Sequence, residues 1–190
     1  MSLSKVNESQ SAKRRPAIKA GRPAPVAGRI RDLSGGKKQA GIHALRLLAA
    51  SPKTRRELER KLSDKGYEEA VIRNTLDELE RQGLLSDRNF AVDLVSRFIH
   101  ARPSGARRIR FELKRRGVPA KLQEEVLAQF QADDERGRAR ELAAERWRRF
   151  SHLPVEKRIK RVYDFLIRRG FDFQTARDLI EELEATGITE

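Results

Sequence analysis

The stretch ELERKLSDKGYEEAVIRNTLDEL, residues 57–79, predicts two short helices that meet at Gly66. Leu58 and Leu62 lie four residues apart, so they share one helix face. Glycine favours the left-handed conformation that ends many helices, and in that ending the residue after the glycine contacts the last helical turn. The stretch therefore predicts a tight helix–turn–helix in which Tyr67 packs against Leu62.

The same pattern returns around Gly117, in RIRFELKRRGVPAKLQEEVLAQF (108–130), and around Gly170, in RVYDFLIRRGFDFQTARDLIEEL (161–183). Relative to each glycine, apolar residues recur at offsets −8, −4, +1, +10 and +13. Five matching offsets in three places favour an internal repeat over a generic helical bundle with similar helix ends. The residues at these offsets are Leu58, Leu62, Tyr67, Leu76 and Leu79; Ile109, Leu113, Val118, Leu127 and Phe130; and Val162, Leu166, Phe171, Ile180 and Leu183.

Polar residues that can cap helices support the same division of the chain. Thr54 and Glu57 match the capping box, in which each side chain binds the other residue's backbone amide. Ser86, Ser104 and Asp172 are the predicted caps of three further helices. No stretch alternates with the period of a strand, so the sequence predicts an all-α protein built from three tandem three-helix repeats that resemble helix-turn-helix units.

The repeats are expected at residues 39–85, 86–131 and 132–190. Residues 1–38 are rich in Ser, Pro, Gly, Lys and Arg, and they predict a disordered basic N-terminal arm. Such an arm is either a loose, salt-sensitive contact for phosphates or a solubilising tail.

The charge balance points to a polyanionic partner, either nucleic acid or an acidic protein surface. The chain of 190 residues has 42 Lys and Arg against 28 Asp and Glu, a formal net charge of +14. It contains no cysteine, which excludes disulfides and cysteine-based zinc sites or nucleophiles. No apolar run is long enough for a membrane span or a signal peptide, so a cytoplasmic protein is expected.

The residues that could carry chemistry do not form a recognisable catalytic pattern. His43, His100 and His152 are far apart, and none has a partner at the spacing of a metal site. The acids at 133–135 are explained by the positive end of a helix dipole. We therefore expect no enzymatic activity, no metal and no cofactor.

Phe111 is unusual because it shares a helix with many cations. It lies on the side opposite Ile109, between Arg110 and Lys114. Two interpretations remain open. The ring packs against a neighbouring repeat, or it is exposed and stacks on a base or enters a groove of a partner.

Three stretches resemble the RecX family, whose members regulate the bacterial recombinase RecA. They are TRRELERKLSDKGY (54–67), VIRNTLDELERQGLLSDRNFA (71–91) and GARRIRFELKRRGV (105–118), and the likeness covers about residues 40–185. The resemblance implies three tandem three-helix modules in a curved, elongated array. It also implies binding to the RecA–DNA filament, which would limit filament extension, ATP hydrolysis and strand exchange.

On this hypothesis the protein is a monomer that contacts RecA and, weakly and in a salt-dependent way, single- or double-stranded DNA, with no membrane partner. The alternative is a stand-alone DNA-binding protein of the helix-turn-helix or winged-helix type, which predicts a dimer or a wing of strands. A passive scaffold would explain neither the charge nor the repeat. The candidate contact residues are Arg55, Arg56, Arg60 and Lys61; Arg107, Arg108, Arg110, Phe111, Lys114 and Arg115; and Lys157, Arg158, Lys160 and Arg161.

Overall fold

The computed structural model describes residues 35–130 and 135–185, which form nine α-helices and no strand. This confirms the all-α class and the order of tandem three-helix repeats. Most of the predicted N-terminal arm lies outside the described residues, but residues 35–38 belong to the first helix. The helices are α1 (Gly35–Ala50), α2 (Arg55–Ser63), α3 (Glu69–Arg81), α4 (Asp87–His100), α5 (Ala106–Arg115), α6 (Ala120–Phe130), α7 (Glu135–Arg149), α8 (Val155–Arg169) and α9 (Phe173–Ala185).

Each group of three consecutive helices surrounds its own apolar core. We call them module 1 (α1–α3), module 2 (α4–α6) and module 3 (α7–α9). The three cores share no residue, and every pair of helices that packs extensively belongs to one module. Burying a leucine-sized side chain contributes about 1.5–3 kcal/mol, so each module is stabilised mainly from within.

Apart from Phe130, whose side chain lies outside the described part of the structure, the predicted repeat positions contribute to these cores. Side chains at offsets −8 and −4 from the glycines are at most 3% exposed in all three modules. The next position is less uniform, because Val118 and Phe171 are buried whereas Tyr67 is half-buried. Tyr67 packs edge-on against His43, with ring centroids 6.0 Å apart, which gives that histidine a structural role.

The glycines end their helices as predicted. Gly66, Gly117 and Gly170 have φ of +82°, +80° and +85°, and Gly83 ends α3 in the same way. Residues with a side chain are disfavoured at such angles. The amide of the residue after each repeat glycine donates to the carbonyl of the residue four positions before that glycine. The three bonds are Tyr67 N to Leu62 O at 3.3 Å, Val118 N to Leu113 O at 3.1 Å, and Phe171 N to Leu166 O at 3.2 Å.

Three of the predicted caps are confirmed. The amide of Glu57 donates to Thr54 Oγ1 and the amide of Thr54 donates to Glu57 Oε2, both at 3.2 Å, which completes the capping box. Ser86 and Asp172 each accept an amide from three residues further on, at 3.2 and 2.8 Å.

The prediction that Ser104 caps a helix is wrong. Gly105 holds the capping position of α5, and Ser104 Oγ donates to the carbonyl of Arg102 at 2.8 Å instead. The start of α5 is satisfied from outside its module, because the amide of Ala106 donates to Glu135 Oε1 at 3.1 Å. A local side-chain cap is therefore not needed there.

Candidate functional site

The modules are joined end to end through their second helices, α2, α5 and α8. The start of α2 abuts the end of α5, and the start of α5 abuts the end of α8. We call these contacts junction 1/2 and junction 2/3. At each junction the positive end of one helix dipole meets the negative end of the next, which is the favourable arrangement.

Junction 1/2 combines backbone and ionic contacts. Thr54 Oγ1 donates to the carbonyl of Arg116 at 2.6 Å, and the amide of Arg55 donates to Asp87 Oδ1 at 2.7 Å. Arg116 also forms an ion pair with Glu57, whose side chain is only 17% exposed. Burial raises the pKa of Asp87, while the hydrogen bond from Arg55 opposes that shift.

Junction 2/3 joins the same repeat positions, but a backbone amide replaces the Thr54 hydroxyl as the donor to the helix end. The amide of Gly105 donates to the carbonyl of Arg169 at 2.9 Å, and Ala106 binds Glu135 as described above. Arg169 Nη1 in turn donates to the carbonyl of Pro103 at 3.2 Å. In both junctions, the acid that begins the first helix of one module accepts the amide that begins the second helix of the preceding module. These acids are Asp87 of α4 and Glu135 of α7.

Close approach at the junctions requires glycine. A Cβ on Gly105 would lie 2.2 Å from the carbonyl oxygen of Gly170, where only backbone stands in the way. A Cβ on Gly117 would lie 2.4 Å from Cδ of Arg56. A Cβ on Gly66, which faces no neighbouring module, would meet nothing within 4 Å.

Helix α8 differs from its counterparts at its start. It begins 15 residues before its glycine, whereas α2 and α5 begin 11 residues before theirs. Arg158 therefore occupies the repeat position that Thr54 and Gly105 hold as caps. It donates to the carbonyl of Trp147 at 2.7 Å, and its guanidinium lies 4.1 Å from the centre of that indole ring.

Several predicted contact residues are engaged inside the protein. Arg55 pairs with Asp77 and Glu80 at 2.7 and 2.6 Å, so it holds α2 against α3. Arg158 binds Trp147 within module 3, and its burial lowers its pKa. Further intramolecular pairs are Arg110 with Glu124 at 3.3 Å and Arg115 with Glu112 at 2.7 Å.

Other candidates are placed at the junctions. Arg56 packs on Gly117, and the Arg107 guanidinium lies 4.7 Å from the centre of the Phe173 ring in module 3. Arg108 Nη1 donates to the carbonyl of Arg168 at 3.1 Å. These arginines bridge modules while much of each side chain remains exposed.

A third group faces outward without an ionic partner. Its members form no ion pair with any residue that the structure describes: Arg60, Lys61, Lys114, Lys157 and Lys160. Arg161 is also exposed, and it lies over the ring of Phe150, 5.4 Å from its centre.

Phe111 is 63% exposed, so of the two interpretations the structure favours the exposed ring over one packed against a neighbouring module. It occupies the repeat position of Arg60 in module 1 and of Asp164 in module 3. The outward face of the second helices thus presents a cation, an aromatic ring and an acid in successive modules.

Sequence reasoning missed the residues that lock the junctions, namely Asp87, Arg116, Glu135 and Arg169. Their partners lie between 29 and 66 residues away, so no local pattern reveals them. The available signal is positional, because Asp87 and Glu135 are both the first residue of a module's first helix.

The described ranges show neither a metal cluster nor a membrane span. They contain no group of three His, Cys, Asp or Glu side chains that could hold a metal ion. Within the same ranges no helix has the length and apolar character that crossing a bilayer requires.

Comparison with known proteins agrees with the modular division. Three family models match in order along the chain: the first three-helix domain of RecX at residues 43–79, the second at 86–127 and the third at 133–180. The regulatory protein RecX of Mycobacterium sp. (strain JLS) is 38% identical over 152 residues, covering 76% of this chain and 81% of the relative. The chain belongs to the RecX family.

Other RecX proteins are similar over the same region. The regulatory protein RecX of Chlorobaculum tepidum is 34% identical over 147 residues, covering 77% of this chain and 89% of the relative. The crystal structure of RecX from Lactobacillus salivarius has a TM-score of 0.70 at 23% identity, covering 80% of this chain and 99% of that one, and shares the fold. Membership of RecX therefore gives this chain a regulatory role.

Proposed function

We propose that the protein binds the RecA–DNA filament and limits its extension, and with it ATP hydrolysis and strand exchange, so that it regulates DNA repair and recombination. The observation that carries the proposal is the outward face of the second helices, which holds unpaired cations and one exposed aromatic ring. Arg60 lies on α2, Phe111 and Lys114 on α5, and Lys157 and Lys160 on α8.

A row of modules suits a long, repetitive partner. When one module is bound, its neighbours are held at high effective concentration near the next part of the filament, so weak contacts add to a firm attachment. Cations without internal partners keep their charge available for phosphates or carboxylates. We propose further that the protein acts by binding rather than by catalysis, as a monomer, in the cytoplasm.

The direct test measures RecA ATP hydrolysis on single-stranded DNA while this protein is added. Inhibition is expected. If it appears far below one molecule per RecA, the protein acts at filament ends, and if it requires near-equal amounts, the protein lies along the groove. Unchanged hydrolysis in the presence of excess folded protein would refute the proposal.

A paired variant tests the placement of the contact. Phe111→Ala with Lys114→Glu should weaken inhibition of RecA at least about tenfold, because an aromatic anchor and a nearby charge are both lost. The control is Arg73→Glu, which changes an exposed arginine of α3. Full inhibition by the folded Phe111/Lys114 variant would place the contact elsewhere.

The alternative is a stand-alone DNA-binding protein, which predicts a sequence-specific footprint without RecA. Nothing in the described ranges favours it, since they contain no strand that could form a wing. A footprint that needs no RecA would overturn the preference for the filament.

A further inference from the structure

The two junctions differ at one equivalent pair of side chains. At junction 1/2, Glu57 of module 1 pairs with Arg116 of module 2. Counted from the repeat glycines, their counterparts at junction 2/3 are Arg108 and Arg169. An acid facing a base at one junction is thus replaced by two bases at the other.

More arginines surround this like-charged pair. Burial is the main cause that lowers the pKa of Arg169. The positive charges of Arg108, Arg146 and Arg102 lower it further, and Glu145 opposes the shift. Arg108 and Arg169 each donate to a backbone carbonyl, of Arg168 and Pro103. Neither forms an ion pair with a carboxylate of the described residues.

A cleft of about 280 Å³ on the surface of module 3 adjoins this cluster, because Arg146 belongs to both. Guanidinium groups lie over its aromatic rings. Arg146 and Arg169 are 4.4 and 5.2 Å from the centre of the Phe165 ring. The residues that line the cleft are Arg146, Phe150, Arg161, Asp164, Phe165 and Arg168.

We propose that junction 2/3 and this cleft bind the phosphate backbone of a single-stranded nucleic acid, with a phosphate between Arg108 and Arg169 that supplies the negative charge which Glu57 supplies at junction 1/2. The proposal deepens the function proposed above and rests on it for its biological setting. The arginines near Arg169 repel one another, which destabilises the free protein, and a bound anion would offset this repulsion. Guanidinium groups suit this purpose because their planar fork binds phosphate through two hydrogen bonds.

The composition of the site favours a nucleic acid over an acidic peptide. The cations around Arg169 are all arginine, with Glu145 as the one acid that acts on it. The neighbouring cleft, which also contains Asp164, offers guanidinium planes on which a flat base can stack. An acidic peptide would satisfy the charges but would have no flat group for these faces. Sequence reasoning proposed Arg108 and Arg161 as contacts, but it did not include Arg146, Arg168 or Phe165.

The first experiment measures binding of the full chain to a fluorescent oligo-dT strand without RecA. Arg146→Gln with Arg168→Gln should weaken binding about tenfold and reduce the slope of log K against log salt by about 1.4, because two phosphate contacts are lost. The matched control is Arg73→Gln with Arg81→Gln, which removes the same charge from α3. Equal loss in both variants would show that only net charge matters and would overturn the site.

The second experiment supplies the missing acid from within. Arg108→Glu should recreate the acid–base pair with Arg169, so the protein stays folded with an unchanged or higher melting temperature while oligo-dT binding falls at least tenfold. Wild-type affinity in this variant would overturn the proposal. So would displacement of oligo-dT by polyglutamate at an equal concentration of charges, since the partner would then be an acidic peptide.

The failure of this proposal can be distinguished from the failure of the proposed function. If the Arg146/Arg168 variant and the Arg108→Glu variant both bind oligo-dT as tightly as the wild type, while the wild type inhibits RecA, the phosphate site is refuted and RecA regulation stands. If the wild type binds oligo-dT through these arginines but never affects RecA, the filament function is refuted and the phosphate site stands.

Discussion

Junction 1/2 and junction 2/3 join equivalent helix ends but differ in their electrostatics. In both, a helix start meets a helix end and an acid from the next module receives the first amide. Among the residues that the structure describes, only those of junction 1/2 add an ion pair between modules. The comparison indicates that contacts between helix ends join the modules at both junctions. The side chains at the positions of Glu57 and Arg116 stabilise junction 1/2, whereas we propose that their counterparts at junction 2/3 bind a ligand.

The largest expected effect comes from breaking the close approach at junction 2/3. Gly105→Ala places a Cβ against the Gly170 backbone and should lower the free energy of unfolding by about 2–3 kcal/mol. Gly36→Ala, where the added Cβ meets nothing within 4 Å, is the control, and it should stabilise the helix by up to about 1 kcal/mol. Urea denaturation checks both, and equal stability of the two variants would contradict the structure.

Removing the ion pair of junction 1/2 should have a smaller effect. Glu57→Gln keeps a capping side chain but loses the charge that faces Arg116, so unfolding should become easier by about 1 kcal/mol. The counterpart variant, Arg108→Gln, should change stability by less than about 0.5 kcal/mol, because it removes a repulsion rather than an attraction. Chemical denaturation of the pair compares the two junctions directly, and equal losses would mean that their electrostatics do not differ.

The cap of α9 should depend on pH in the direction usual for an acid. Hydrogen bonds from Thr175 lower the pKa of Asp172 in the folded protein. Its contribution is therefore present above the unfolded pKa and is lost as pH falls through the folded pKa. Asp172→Ala should cost about 1 kcal/mol near neutral pH and less in acid, as measured by thermal unfolding at several pH values.

Asp87 at junction 1/2 should show the opposite and smallest dependence. Burial raises its pKa in the folded protein, so its contribution is greatest below the unfolded pKa and declines as pH rises through the folded pKa. Asp87→Asn keeps an oxygen that can accept the amide of Arg55 and removes the titration. The melting temperature of the variant relative to wild type should rise between about pH 4 and neutral. A relative fall over that interval would reverse the assignment.

Local features of the fold were predictable from the sequence. The buried positions, the glycine endings and the capping box at Thr54 depend on residues within one helix or one turn. Ser104 was misjudged because the start of α5 is satisfied by Glu135, whose contact depends on how module 3 is placed. Phe111 was ambiguous for the same reason, since only the arrangement of modules decides whether a ring is covered.

The candidate site was less predictable than the fold. Their charge and their place on the matched helix of each repeat predict Arg55 and Arg158 as partner contacts, yet both are engaged internally. The acids that engage Arg55 are 22 and 25 residues away. The like-charged pair Arg108 and Arg169 could not be predicted, because recognising it requires both the repeat alignment and the knowledge that modules 2 and 3 are in contact.

The early start of α8 has a consequence for how this architecture could grow. At that terminus a further unit could not dock as the others do, because an additional turn and the Arg158 side chain stand where a cap belongs. The opposite terminus keeps Gly66 open. A designed repeat that lengthens the row would therefore be added on the side of α2, beyond Gly66.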